Sequence, residues 1–380
     1  MKVLVLYDYP PSPGGLATQG DLLYQGLLEL GVDAHAVNFE SAQEKEWYYR
    51  WFKPDVVVGV GYWGHTPQLV LHPKRYGVLP VPWLVADGYI ANYQEVLNDL
   101  PLILVTSHWV KEMYVRDGIH PDTIEVLPVG CDTNSFTPFE KNNPKILAVR
   151  ESLGISPEQL MILTVGGDAA SKGAQEVMQA LSIIDTKAPD WKYVCKVWPQ
   201  PRTKAQNLID LEMASQLGLD KNIIYATNKI SRNFMPYLIG ACDIYAAPSR
   251  LEGFGMPQVE AGACGKPVIG IQAMGMLNTL IHEKTAFLAQ VARKIVVDEV
   301  ILGKESGFEK KHTVQFDIPR TVDYRANIQD IAGHLLTLME DEKLREEMGR
   351  NAREYVISNF GYRVVAQKFL KIIHEKLGIN

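Results

Sequence analysis

The sequence is poor in cysteine and contains no long apolar run, and these two absences limit what the chain can be. Its 380 residues include four cysteines, none of which form a C-x-x-C pair: Cys131, Cys195, Cys242 and Cys264. This usage argues against a disulfide framework and predicts free thiols in a reducing compartment. No stretch approaches the roughly 20 apolar residues that span a bilayer, and the N-terminal apolar run reaches Asp8 too soon for a signal peptide. We therefore expect a cytoplasmic protein without stable membrane insertion.

An excess of positive charge is also missing. The net charge is −6 and the pI is about 5.9, which argues against nucleic acid as a main partner. Residues 1–145 contain 10 Lys and Arg against 17 Asp and Glu, so this part is a poor candidate for docking on anionic lipid through charge alone. With 47% hydrophobic and 22% charged residues the composition is globular, and the length favours two domains.

Strand and helix patterns alternate along the chain, which predicts an α/β fold with doubly wound parallel sheets. Compact apolar runs such as KVLVLY (2–7) and DVVVGV (55–60) are typical of buried parallel strands, and ATQGDLLYQGLLELG (17–31) has helical spacing. The polar stretch 137–146 interrupts the alternation, which then restarts, so we expect two Rossmann-like halves. The segment 290–322 is irregular and mixed in sign, and its pattern predicts no particular element.

The stretch PSRLEGFGMPQVEAGACGKPV places two carboxylates on either side of a glycine-rich turn. The two glycines of the turn favour loop or positive-φ conformations, and Pro257 is favoured at the first position of a helix. Glu252 is therefore expected on the loop and Glu260 about one turn into the helix that follows. Because a helix N-terminus presents unpaired N–H groups and partial positive charge, this arrangement predicts a site for an anionic ligand with hydroxyls at both ends.

This stretch resembles the E-x7-E signature of retaining GT-B glycosyltransferases, most closely that of glycosyltransferase family 4. Other landmarks of the family follow in order: PGG (13–15), the run from VTSHWVKEMY to NSFTP (105–138), and VGGDAASKG (165–173). The resemblance covers nearly the whole chain apart from 290–322. It implies a GT-B fold, in which two Rossmann-like doubly wound parallel-sheet domains face each other across a cleft. The expected domains are an acceptor domain at 1–140, completed by a C-terminal helix at 361–380, and a donor domain at 141–360.

The resemblance also implies roles for individual residues. Glu252 matches the acid nearest the donor sugar, Lys172 matches the lysine that neutralises the diphosphate leaving group, and Glu260 matches the acid on the nucleotide ribose. Backbone groups of two glycine loops would hold the sugar and the diphosphate. The expected donor-binding set is Gly14, Gly15, Gly167, Lys172, Gly253, Phe254, Gly255 and Glu260.

Three positions depart from the family pattern, and they bear on donor choice. Gly167 stands where family members usually carry Arg, so one cation of the diphosphate clamp is missing, and the candidates to replace it are Lys196, Lys229 and Arg232.

Ala86, followed by Asp87, stands where the family often has His. We expect Asp87 to make that sugar contact and count it, with Glu252 and Lys172, among the catalytic candidates. Asn278 replaces a usual Glu.

The implied activity is a retaining, hexosyltransferase-type transfer of a sugar from a nucleotide-sugar to an acceptor hydroxyl. We expect a UDP- or GDP-linked donor as co-substrate and no separate cofactor. Because the sequence has no Asp-x-Asp motif, no metal site is expected. The acceptor, whether a glycan, a lipid or a small molecule, is not identified. Candidate acceptor contacts at the end of a predicted strand are Tyr62, Trp63 and His65.

Other functions stay open at this point. GVGYWG (59–64) fits G-x-G-x-x-G after a strand, with Asp87 further along, and is similar to the dinucleotide fingerprint of an NAD-dependent oxidoreductase. Against this interpretation, the strand is not the first of its domain and the following helix would begin late. A GT-B sugar-nucleotide epimerase or phosphorylase, or a non-catalytic nucleotide-sugar binder, would share the stretch around Glu252 and Glu260.

Overall fold

Two parallel β-sheets, one in each of two compact units, organise the computed structural model, which describes residues 1–86 and 88–379. The first unit comprises Met1–Gly130, Val296–Val322 and the chain from Asn359 onward. The second unit comprises Cys131–Ile295 and Asp323–Ser358. Every neighbouring pair of strands in both sheets is parallel. The predicted α/β fold with two doubly wound parallel sheets is confirmed.

The first unit contains a six-stranded sheet with helices between its strands. The strands are β1 (Lys2–Tyr7), β2 (Asp33–Asn38), β3 (Val56–Tyr62), β4 (Pro80–Val85), β5 (Ile103–Val105) and β6 (Ile124–Val126), in the order β2-β1-β3-β4-β5-β6. The helices of Met1–Gly130 are α1 (Gly15–Glu29), α2 (Ala42–Trp51), α3 (His72–Arg75), α4 (Gln94–Asn98) and α5 (His108–Arg116). A 3-10 turn (Trp63–His65) and a π-helical turn (Pro67–Leu71) follow β3, and a second 3-10 turn (Pro121–Thr123) precedes β6.

The first strand is buried on both of its faces. In β1 every residue after Lys2 is fully buried, so both faces of the strand are covered by other elements. Two-sided burial of this kind is the pattern of a parallel strand flanked by crossover helices. Because β1, β3 and β4 are parallel, their carboxyl ends lie at the same edge of the sheet. Folds of this class bind ligands at that edge.

The second unit repeats this architecture with a different set of strands. The strands are β7 (Leu160–Val165), β8 (Trp191–Lys196), β9 (Ile223–Ala226), β10 (Ile244–Ala246), β11 (Val268–Ile271) and β12 (Ala286–Ala289), in the order β12-β11-β10-β7-β8-β9. The helices are α6 (Pro144–Ser152), α7 (Ala174–Ile184), α8 (Pro201–Gln216), α9 (Met235–Ala241), α10 (Met256–Ala263), α11 (Met276–Thr279), α12 (Ile328–Glu340) and, as far as Ser358, α13 (Glu342–Phe360). Two 3-10 turns, Ala170–Lys172 and Arg232–Phe234, lie at the ends of loops. The strand order reverses between β7 and β10, so the loops after these two strands meet at the switch point of the sheet.

A long β-hairpin occupies the segment for which the sequence predicted no element. Its strands, β13 (Val291–Leu302) and β14 (His312–Ala326), form a separate two-stranded sheet. The connection between them is too short for a parallel crossover, so the pair is antiparallel. Within the first unit the hairpin is held by hydrogen bonds from Tyr62 Oη to the Glu305 carbonyl (2.8 Å) and from Asn92 Nδ2 to the Ser306 carbonyl (2.9 Å).

The last helix of the chain, α14 (Tyr362–Leu377), packs against α1 in the first unit. A side chain at Gly26 would place its Cβ 2.8 Å from the Ala366 Cβ and 2.9 Å from the Tyr362 carbonyl oxygen. Glycine at this position therefore allows the two helices to approach closely. The Tyr362 hydroxyl also donates a hydrogen bond to Glu29 on α1.

The four cysteines are all free and buried, as their scattered positions predicted. Burial raises the pKa of the Cys195 and Cys242 thiols to about 12, so both stay protonated at neutral pH. In the part of the chain that the structure describes, no helix is both long enough and apolar enough to traverse a bilayer.

Candidate functional site

The glycine-rich turn lies between β10 and α10, at the switch point of the second sheet. The helix begins at Met256 with Pro257 in its first turn, and Gly255 precedes it with φ 88°. That positive φ is readily accessible to glycine and strained for most other residues. Glu252 lies on the loop and Glu260 is the fifth residue of the helix, so the local structure predicted from the sequence is confirmed.

Glu252 forms an ion pair with Lys172, the residue that ends the 3-10 turn after β7. Lys172 Nζ lies 2.6 Å from Glu252 Oε2, and the two side chains are 21% and 16% exposed. A Cβ at Gly166 would lie 2.6 Å from the Lys172 Cγ, so the glycine leaves room for the lysine side chain to pass. The structure thus brings two of the three predicted catalytic residues, Glu252 and Lys172, together at the switch point, one from each loop.

The Glu252 carboxylate also accepts a hydrogen bond from the backbone N–H of Gly255 (3.1 Å). Burial alone would raise the pKa of this carboxyl. The charge and hydrogen bond of Lys172, together with the backbone N–H groups of Phe254 and Gly255, outweigh burial and lower the pKa overall. Glu252 is therefore a carboxylate at neutral pH.

We expect the stability lost in Glu252→Gln to depend on pH. Because the folded protein lowers the pKa of Glu252, the carboxylate stabilises the fold fully above its unfolded-state pKa, near 4.5, and loses this effect as pH falls through the folded-state value. The variant should lose about 2 kcal/mol of unfolding free energy at pH 7 and much less at pH 3.5. Denaturant titrations at both pH values measure the difference. Glu158→Gln, an exposed site in the same unit, is the control; an equal loss for Glu252→Gln at both pH values would contradict the ion pair.

Glu260 is buried on α10, with 4% of its side chain exposed, and pairs with Arg232 at a distance of 2.6 Å. The Arg232 guanidinium also lies over the Phe136 ring, 4.6 Å from its centroid. The sequence suggested Arg232 as a substitute for the missing clamp cation. In the structure it is instead the partner of the acid expected at the ribose.

Gly275 supports the turn that carries Glu252, although the sequence did not single it out. Its backbone N–H donates to the Glu252 carbonyl (3.1 Å). A Cβ at Gly275 would overlap the Gly253 carbonyl and lie 2.8 Å from the Phe254 nitrogen. Glycine is therefore required here by backbone-to-backbone packing, a contact between segments that no local sequence pattern reveals.

Gly167 and Lys196 have hydrogen-bond partners of their own. The backbone carbonyl of Gly167 accepts a hydrogen bond from Trp198 N–H (3.1 Å), and a Cβ there would make only ordinary contact with the Trp198 ring. Lys196 is buried and its Nζ donates to the Val197 carbonyl (2.7 Å), while Lys229 is exposed. The role of these lysines as a second clamp cation stays a prediction.

On the first unit, the PGG loop leads directly into α1. Gly14 is extended (φ 170°) and precedes the helix that begins at Gly15, and Thr18 donates to the Gly14 carbonyl through both its N–H and its hydroxyl. A Cβ at Gly14 would meet no atom within 4 Å. Packing among the described residues therefore does not require glycine at position 14, and its role at a diphosphate stays a prediction.

The three acceptor candidates lie at the end of β3 and in the 3-10 turn that follows it. Tyr62 and His65 form a ring contact (centroids 4.3 Å apart), whereas Trp63 is only 4% exposed. The Tyr62 hydroxyl is engaged by the hairpin backbone at Glu305, and burial lowers the pKa of the His65 imidazole. Ala86 is buried at the end of the neighbouring strand, and Asp87 lies outside the described residues.

The glycines of GVGYWG have a packing role. A Cβ at Gly59 would lie 2.8 Å from the Leu69 Cβ, and one at Gly61 would lie 2.6 Å from the His65 Nδ1. Both glycines lie within β3, so they make room for the helical turns that cover this strand and do not form a loop around a phosphate. This packing accounts for the G-x-G spacing without a dinucleotide.

No group of three or more His, Cys, Asp or Glu side chains within residues 1–86 and 88–379 is arranged to hold a metal ion.

A known family model matches part of the chain. Residues 146–301 match the family model described as Glycosyl transferases group 1, and this stretch contains Lys172, Arg232, Glu252 and Glu260. Two parallel-sheet units and the structural similarities below define a GT-B fold, as predicted.

Curated relatives are similar in sequence to part of this chain. A D-inositol 3-phosphate glycosyltransferase of Mycolicibacterium gilvum (strain PYR-GCK) is 27% identical over 261 residues, which cover 65% of this chain and 54% of that protein. The same-named protein of Rhodococcus erythropolis (strain PR4 / NBRC 100887) is 25% identical over 238 residues, 60% of this chain and 52% of that protein. The chain thus spans about half the length of the curated relatives it matches.

Solved structures match over the whole chain. A glycosyltransferase from Rickettsia africae ESF-5 aligns with a TM-score of 0.76 at 17% identity, covering 100% of this chain and 99% of that one. HepE of Anabaena, solved in complex with UDP and glucose, aligns with a TM-score of 0.72 at 16% identity, covering 99% and 100%. At these identities the similarity establishes the fold.

Proposed function

We propose that this protein is a retaining glycosyltransferase that moves a hexose from a nucleotide-sugar to an acceptor hydroxyl. The observation that carries the proposal is the Lys172–Glu252 ion pair (2.6 Å) beside the N-terminus of α10. It puts a cation, a carboxylate and the unpaired N–H groups of a helix next to one another. The glycosyl transferases group 1 match over residues 146–301 supports the same function.

In the proposed reaction, charge develops at two places. As the bond between the anomeric carbon and the diphosphate breaks, negative charge grows on the leaving phosphate, and Lys172 with the N–H groups at the N-terminus of α10 stabilises it. Positive charge grows on the sugar ring, where the Glu252 carboxylate is the nearest acid of the site. The acceptor oxygen bonds to the same face of the anomeric carbon, and its proton passes to the leaving phosphate. This route retains the anomeric configuration and needs no separate base.

The donor is proposed to be linked to UDP or GDP, and the complex of the similarly folded HepE with UDP and glucose supports testing UDP-glucose first. Gly14 and Gly15 would approach the diphosphate, and Asp87 the sugar. Tyr62, Trp63 and His65 would contact the acceptor. Because several relatives are named for D-inositol 3-phosphate, that compound belongs in the acceptor screen with glycans and lipids. A cytoplasmic location is part of this proposal and is supported by the four free thiols.

We expect the activity to be independent of divalent metals. Purified protein would be incubated with UDP-, GDP- and ADP-linked sugars and the acceptor panel, and release of nucleoside diphosphate would be measured with and without EDTA. Transfer should proceed within twofold of the untreated rate in EDTA, and NMR of the product should show the anomeric configuration of the donor. Activity abolished by EDTA and restored by Mg²⁺ or Mn²⁺ would overturn metal independence alone.

The same assay separates the other functions. Turnover of the donor without any acceptor would indicate an epimerase, and a requirement for inorganic phosphate would indicate a phosphorylase. Binding of nucleotide-sugar without turnover across the whole panel would indicate a non-catalytic binder.

A further inference from the structure

Glu260, the acid on α10, already has an ion-pair partner in the structure. Glu260 is almost fully buried, and its Oε1 lies 2.6 Å from Arg232 Nη2. Among the described residues, Arg232 is the only hydrogen-bond partner of this carboxylate, and it uses one of the two oxygens. Arg232 itself is 39% exposed, so the pair joins a buried acid to a partly accessible cation.

The Arg232 guanidinium has a second contact, with an aromatic ring. It lies over the Phe136 ring at 4.6 Å, an arrangement in which the ring face attracts a cation. Arg232 therefore contacts both a buried carboxylate and an aromatic ring.

Arg353 ties the Phe136 loop to the helix that carries Glu260. Its guanidinium donates to the carbonyls of Phe136 and Thr133 on the loop, and to the carbonyl of Ala263, the last residue of α10 (2.8 Å). The loop, the helix and Arg232 thus form one connected group. Next to it is an open cavity of about 340 Å³, lined among others by Arg232, Phe136 and Asn233.

We propose that Arg232 is a positioning residue for the nucleotide of the donor. It occupies Glu260 Oε1 and leaves Oε2 to accept hydrogen bonds from the ribose, so that the protein distinguishes a ribonucleotide from its 2′-deoxy counterpart. This inference rests on the proposed function. It concerns a residue outside the E-x7-E stretch, at a position that the sequence linked to a different part of the ligand.

Physical chemistry favours a fixed partner over one that leaves when the ligand binds. A buried carboxylate is costly without a compensating cation. Ribose hydroxyls are neutral donors, and they cannot supply that charge if they displace the guanidinium. Arg232 therefore stays at Oε1 in the ligand complex, and the carboxylate keeps the orientation that Arg232 sets.

The experiment measures how strongly the protein prefers a ribonucleotide to its 2′-deoxy counterpart, and it does not depend on catalytic activity. Dissociation constants for UDP, GDP and ADP and for their 2′-deoxy counterparts would be determined by calorimetry for the wild type, Arg232→Ala, Arg232→Lys and Arg325→Ala. Arg325 is a matched control because its guanidinium also pairs with a buried glutamate, Glu176 (3.1 Å), and is 30% exposed. Melting temperatures of all variants identify any that do not fold. If Arg232→Ala does not fold, Arg232→Lys, which keeps the charge, tests the proposal in its place.

For the nucleotide that binds, we expect the wild type to prefer the ribo form by about tenfold, the effect of one hydrogen bond to a charged group. Arg232→Ala should reduce this ratio to about twofold or less and weaken the ribonucleotide more than the deoxyribonucleotide. Arg232→Lys should be intermediate, and Arg325→Ala should keep the wild-type ratio.

Results that contradict the positioning role differ from results that contradict the proposed function. Full discrimination in Arg232→Ala, or no discrimination in the wild type, would overturn the positioning role while leaving nucleotide binding intact. Tighter ribonucleotide binding by Arg232→Ala would show that Arg232 competes with the ligand for Glu260. A wild type that binds no nucleotide would reject the proposed function itself.

Discussion

Lys172→Met is expected to lower the turnover number of sugar transfer by about 100-fold, the effect of removing one preorganised group that stabilises developing charge. Lys172 is the cation that the structure places at the glycine turn, 2.6 Å from Glu252. In water its charge would be screened, but the pair is largely buried, and electrostatic interactions are stronger in such surroundings. Initial rates at saturating donor measure the change, and Lys172→Arg should recover part of the lost rate because it keeps the charge.

Lys172 could also act on the site indirectly, by neutralising Glu252 and keeping the turn in shape. The double variant Lys172→Met/Glu252→Gln separates the two roles, because it removes both charges and leaves none unpaired. We expect it to unfold close to the wild-type temperature but to remain as slow as Lys172→Met. Lys187→Met, which removes an exposed lysine from the same unit, should keep full activity. A double variant that regained activity would reject the leaving-group role and leave Lys172 a structural residue.

Gly275→Ala should destabilise the second unit by about 3 kcal/mol, the upper part of the range for overpacking, and should abolish detectable nucleotide binding at concentrations that saturate the wild type. The added methyl group would overlap the Gly253 carbonyl. Its neighbours are backbone atoms of the turn, which cannot rotate away as a flexible side chain would. The turn must shift, and Glu252 and the backbone N–H groups of Phe254 and Gly255 shift with it. Thermal unfolding and calorimetry with the nucleotide report the two effects.

Gly333→Ala is the matched control for this change. Gly333 is exposed within α12 of the same unit, and a Cβ there would meet no atom within 4 Å. Alanine is the better helix former by about 0.5–1 kcal/mol, so the same substitution should stabilise the protein slightly and leave binding unchanged. Equal effects of the two variants would mean that the contact between Gly275 and the turn does not shape the site.

Local chemistry made the E-x7-E stretch predictable. Gly255 and Pro257 specify the end of a turn and the start of a helix in any context, and the structure has α10 beginning at Met256 between them. The parallel strands were predictable for a similar reason, because runs such as that of β1 are apolar on both faces and can exist only where both faces are covered.

Contacts between distant segments were not predictable. Arg232 and Glu260 are 28 residues apart in the chain, and β11 lies between Gly253 and Gly275. A single sequence contains no pattern that links the two members of either pair. The hairpin of β13 and β14 was missed because much of both strands is exposed, which removes the alternation of apolar and polar residues that identifies a strand. The G-x-G spacing in β3 drew attention to a dinucleotide, but the structure explains it by the close packing of Leu69 and His65.

The packing of α14 against α1 has a consequence for biosynthesis. The sheet of the first unit is complete by residue 130, yet the helix that packs on α1 begins only at Tyr362. A ribosome adds about 5–20 residues per second, so the newly emerged sheet waits on the order of ten seconds or more before α14 can dock on Gly26. During that interval the apolar surface of α1 is available to chaperones, and a premature stop codon before Tyr362 would damage the portion of the molecule that was translated first.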